Sequence, residues 1–128
     1  MLIKKNLLMI GALLGGLAVI LGAFGAHGLK SVLSAAQLVT FETAVRYQMY
    51  HALAILVLPS LLSVASVKWL TRAAIAFLIG IFLFSGSLYM LVMTGIKLFG
   101  PITPLGGVGF IIGWLCVAMS IKVGNSNE

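Results

Sequence analysis

Four long apolar runs without a single Asp, Glu, Lys or Arg decide what this chain can become. They cover Leu7–Ala26, Tyr50–Ser66, Ala73–Thr94 and Ile102–Ile121. A helix needs roughly 20 mainly apolar residues to cross a hydrocarbon core about 30 Å thick, and each run meets or approaches that length. A closed β-barrel would need apolar and polar residues to alternate, and stretches such as AIAFLIGIFLF do not. The expected fold class is therefore an all-α membrane protein, a four-transmembrane-helix bundle forming one integral membrane domain over residues 1–128.

Composition supports this. Hydrophobic residues make up 62% of the chain and charged residues 8%, with a mean hydropathy of +1.22. Soluble domains carry about 25% charged residues, so this chain cannot cover a water-facing surface. Its net charge of +6 arises from eight Lys/Arg against Glu42 and Glu128. The cations punctuate the apolar runs and are not clustered on one element, which argues against nucleic acid as a partner. They read as topology signals. Four spans put Lys4, Lys5, Lys68, Arg72 and Lys122 on one side and Lys30, Arg46 and Lys97 on the other, so both termini are expected in the cytoplasm. The first run is longer than the roughly 7–15 residues of a signal-peptide core and is expected to be a retained anchor.

Local signals sharpen the element boundaries. Ser34-Ala35-Ala36-Gln37 has the form of a capping box flanked by Leu33 and Leu38 as a hydrophobic staple, so a helix should begin near Ala35. Nothing breaks it before Pro59. A helix running on to Ser66 would be about 48 Å long, giving an interfacial extension ahead of the second span and a kink at the proline. Thr103 with Pro104 suggests the N-cap and first residue of the final helix. The polar tail from Gly124 to Glu128 is expected to fray.

Small residues recur at steps of three and four, where helices can approach closely. One stripe is Gly11, Gly15, Ala18, Gly22 and Gly25. Another is Gly106, Gly109, Gly113, Cys116 and Ser120, and a sparser one runs through Ala73, Ala76, Gly80, Ser87 and Thr94. The candidate functional residues form a polar cluster at the outer end of the first two spans: His27, Glu42, Arg46, Gln48 and His51. Glu42 and Arg46 stand i,i+4, the favourable order for a helical ion pair, while Arg46 alone suits an anionic headgroup. The two histidines with Glu42 match no recognised metal-ligand spacing. Cys116, Ser85 and Ser87 have no evident base, and no phosphate loop is present. The expectation is a chain with no catalytic residues, metal or cofactor.

Three strings, GAFGAHGL (Gly22–Leu29), FETAVRYQMYHALAIL (Phe41–Leu56) and GPITPLGGVGFIIGW (Gly100–Trp114), resemble the YgdD/YwdK-like family of small bacterial inner-membrane proteins, grouped as domain of unknown function 423. The resemblance implies four helices in a bacterial plasma membrane and supplies no catalytic residues. Two functions then compete. One is a non-enzymatic accessory or structural component whose partners are the bilayer, anionic lipid headgroups, and a second copy or another membrane protein. The other is an oligomeric small-solute or ion transporter or channel. Four-helix exporters of similar size use a carboxylate within a span, whereas Glu42 precedes the second run.

Overall fold

The computed structural model describes residues 2–124, which contain helices and no strand. Helix α1 covers Leu2–His27, α2 Ala35–Val57, α3 Val67–Gly80, α4 Gly86–Thr94 and α5 Ile102–Gly124. A π turn, Ile81–Ser85, joins α3 to α4 in one rod. Among the described residues, three stretches are long and apolar enough to cross a membrane: Leu2–His27, Val67–Thr94 and Lys97–Gly124. The segment carrying Glu42 and Arg46 is not among them.

α2 starts where its cap dictates. The Gln37 amide donates to Ser34 Oγ at 3.2 Å, and the Ser34 amide donates to Gln37 Oε1 at 2.9 Å. Leu33 and Leu38 pack against Leu29, Phe41 and Val92. The helix does not run on to Ser66. It gives way after Val57 to a 3₁₀ turn, Leu58–Ser63. Pro59 has no amide to donate to the Ile55 carbonyl, and the tighter winding follows from that loss. α2 itself is 23 residues, about 34 Å, and not the longer rod its sequence suggests.

The small-residue stripes lie at the two tightest helix pairs. Along α1, a methyl on Gly11 would lie 2.8 Å from Leu56, and Gly22 and Gly25 approach Val45 and Phe41 of α2. Ala18, between them, is fully buried. Along α5, Gly106 abuts the backbone of Phe84, Gly109 lies on Gly80, and Gly113 receives the Phe77 ring. The apolar core, centred on Ile55, Leu58, Leu70 and Phe77, fills the space between these pairs.

α5 begins at Ile102, one residue before Thr103. Thr103 is thus not an N-cap. Its amide already donates to Gly100 O at 3.2 Å, because the chain turns from Lys97–Phe99 straight into the helix. Gly95, at φ +69°, takes the left-handed conformation that ends α4. At the opposite end the Ser66 amide donates to Ser120 O at 2.9 Å, and Gly124 lies on Val64 and Ala65. The rest of the polar tail lies outside the described residues. Large apolar side chains cover the exterior, among them Leu13, Ile20 and Phe82. Such a surface suits lipid, not water.

Candidate functional site

The polar residues of α2 divide into two groups. Gln48 and His51 face the interior, 2% and 4% exposed. The Gln48 Nε2 donates to Leu14 O of α1 at 2.9 Å, and its Oε1 accepts from the Tyr89 hydroxyl of α4 at 2.8 Å. One amide therefore joins three helices. The Ser85 hydroxyl, in the π turn, donates to Ala44 O of α2 at 2.7 Å, and Ser87 meets Thr103 of α5 at 2.6 Å.

His51 links α2 to α5. Its Nδ1 lies 2.7 Å from Tyr47 O, and the Trp114 indole donates to its Nε2 across 3.2 Å. A carbonyl can only accept and an indole N–H can only donate. The two contacts together assign the proton to Nδ1 and leave Nε2 as the acceptor of a neutral ring. Phe110 stacks on the imidazole at a centroid distance of 3.6 Å and an interplanar angle of 8°. Tyr47 packs on Phe84 at 4.6 Å, and Phe77 meets Trp114 edge-on at 5.0 Å. His51, Tyr47, Phe84, Phe110 and Trp114 wall a cleft of about 540 Å³ between α2 and α5, lined also by Tyr50, Gly107 and Ile111.

The second group faces outward. His27, at the end of α1, and both Glu42 and Arg46 are exposed. Glu42 and Arg46 form no ion pair with each other at the distance such a pair requires. Through Phe41 against Gly25 and Val45 against Gly22, α2 lies alongside α1 from its second turn onward. Glu42 and Arg46 are therefore level with the apolar length of α1, not beyond it. Among the described residues, no three His, Cys, Asp or Glu side chains come together as a metal site. Cys116 is buried as a free thiol.

The structure thus brings Gln48 and His51 into the packed interior and leaves His27, Glu42 and Arg46 outside it. Sequence reasoning missed Tyr89, Trp114, Phe84 and Phe110. A signal existed for the rings: Phe77 and Phe84 are seven apart and Phe110 and Trp114 four apart, each pair on one helical face.

The model of a family described as "Protein of unknown function (DUF423)" matches residues 21–107. A UPF0382 membrane protein of Staphylococcus aureus is 46% identical over 121 residues, covering 91% of this chain and 94% of the relative. YwdK of Bacillus subtilis is 44% identical over 91% of this chain and 95% of its own length. The inner membrane protein YgdD of Escherichia coli is 38% identical over 87% of this chain and 85% of its own. No solved structure matches. With its apolar helices and these relatives, the chain belongs to the DUF423 family of membrane proteins.

Proposed function

We propose that this chain is a four-span plasma-membrane protein with both termini in the cytoplasm, acting without catalysis as an accessory or structural component through its helix surfaces. The observation that carries the reading is the state of the interior polar groups. Every buried side-chain nitrogen and oxygen among the described residues has a hydrogen-bond partner. The group best suited to acid–base chemistry, His51, is held at both nitrogens by Tyr47 and Trp114. Catalysis or solute coupling inside the bundle would need an interior polar group free to engage something else.

Element lengths support a fourth span. The part of α2 that packs on α1 begins at Phe41, and the 3₁₀ turn ends at Ser63. Seventeen residues at 1.5 Å and six at 2.0 Å give about 37 Å, enough to cross. Five basic residues against three then favour termini inside.

The test is thiol accessibility in a Cys116→Ala background. Glu42→Cys should react with an impermeant reagent only from outside, and Lys68→Cys only from inside. Ser85→Cys, nearly isosteric and fully buried, should resist both. If Ser85→Cys reacts with a small water-soluble reagent, water reaches the interior and the transporter reading replaces this one.

A further inference from the structure

The cleft beside His51 does not end at Trp114. A second cleft of about 270 Å³, lined by Tyr50, Leu53, Val57, Leu61, Trp114 and Val117, continues from it and shares Tyr50 and Trp114. As a pair they make a groove that follows the α2–α5 seam from Gly107 down to Val117, with Tyr50 and Trp114 where the two clefts meet. Ten helical residues correspond to about 15 Å, the reach of much of an acyl chain. The groove is open along its outer side, and its walls are almost entirely hydrocarbon and aromatic ring.

Its upper end is different in character. Arg46 precedes Tyr50 by four residues, so it stands one turn above it on the same outward face of α2. Helical side chains lean toward the N-terminus, which here is the outer end, so the guanidinium is directed toward the headgroup region. Arg46 is exposed and has no ion-pair partner among the described residues. The hydroxyls of Tyr47 and Tyr50, both at the exposed rim, have no protein hydrogen-bond partner there either. The outer half of the chain carries Lys30, Arg46 and Lys97 against Glu42 alone.

We propose that the α2–α5 groove is a binding site for one anionic phospholipid, with an acyl chain along Trp114 and Val117 and the phosphate at Arg46. Charge complementarity selects this occupant: a chain alone would leave the Arg46 guanidinium unpaired at the groove mouth, and a phosphodiester satisfies it with charge-assisted hydrogen bonds. The tyrosine hydroxyls then donate to the ester carbonyls just below. The inference rests on α2 crossing the bilayer, but its test reads lipid retention directly and does not depend on topology.

The experiment is native mass spectrometry of the purified full-length chain, delipidated and then offered equimolar phosphatidylglycerol and phosphatidylcholine in detergent. The wild type should retain one phosphatidylglycerol with about fivefold preference, the worth of one well-placed cation. Arg46→Gln should equalise the two lipids, and Arg46→Lys should keep most of the preference. Ile111→Trp, which fills the groove from an exposed position, should lose both lipids. Ile20→Trp, equally exposed but on α1, controls for folding and should bind as the wild type does. Equal retention by the wild type, a preference surviving Arg46→Gln, or full binding by Ile111→Trp would each overturn the assignment. So would a wild-type dimer that Ile111→Trp converts to monomer, since a second copy would then occupy the groove.

Discussion

At His51 a titratable side chain serves as a strut. Its two nitrogens face one obligate acceptor and one obligate donor, so the ring has a single satisfactory tautomer and orientation. Trp114→Phe should leave Nε2 without its donor while preserving the edge contact to Phe77. His51→Phe should preserve the stack on Phe110. The two changes together remove both polar groups and should cost less than the sum of the singles. The expected coupling is about 0.6 kcal/mol and at most about 1.7 kcal/mol, the range for hydrogen bonds between membrane helices. A double-mutant cycle on reversible unfolding in mixed micelles measures it, and strict additivity would remove the bond from the account. Gln48→Leu is a harsher change, since it strips partners from both Leu14 O and the Tyr89 hydroxyl. It should destabilise by about 1–3 kcal/mol, with Tyr89→Phe costing less. Gln48 and His51 were visible in the sequence because a polar residue in an apolar helix is conspicuous. Their partners were not, because Tyr89 and Trp114 lie 41 and 63 residues away with no local pattern to tie them.

Elements were legible wherever the signal is local. The capping box at Ser34 marks the start of α2, and the stripes on α1 and α5 identify the faces that pack on α2 and α3. The third stripe holds only in part. Ala73, Gly80 and Ser87 are buried, while Thr94 is exposed. Between Gly80 and Gly86 the chain winds through a π turn, with the Gly86 amide bonded to Ile81 O. Ser87, beyond the turn, is still buried, so the stripe is lost only at Thr94, the last residue of α4 before the left-handed Gly95. No composition marks the turn. What holds it is tertiary: Ser85 reaches Ala44, and Gly106 lets the α5 backbone close on Phe84. Gly106→Ala would set a methyl against the backbone nitrogen and Cα of Phe84, which cannot swing aside. Gly107→Ala would meet only Phe84 Cδ2, at 3.9 Å. The first change should cost about 1–3 kcal/mol and the second should stay within about 0.5 kcal/mol. Thermal melts of the two variants in detergent compare them, and equal losses would mean the close approach contributes nothing specific.

For the whole molecule, the bilayer was legible at once and the role of α2 was not. Hydropathy places the second apolar run at Tyr50–Ser66 because Glu42 and Arg46 interrupt anything earlier. The packing against α1 places both inside the length of the bundle, with their charged ends outward. A helix carrying a carboxylate and a guanidinium at that depth is costly to insert alone, by about 2.5–3.5 kcal/mol for a charge near the helix centre and less toward the interface. α1 can offset that cost. Gly11, Gly15 and Ala18 let α2 approach closely, and Leu14 O accepts from Gln48, which would otherwise face lipid with an unsatisfied amide. α2 should therefore insert as half of a hairpin. In a glycosylation-reporter assay, residues 35–63 alone should cross the membrane poorly, and residues 2–63 should cross twice. Gln48→Leu, which removes the amide's dependence on α1, should raise insertion of the isolated segment. Efficient crossing by the wild-type segment alone would mean that its apolar second half suffices. Failure of the hairpin to return its C-terminal end to the starting side would leave three spans, and the two termini would then lie on opposite faces of the membrane.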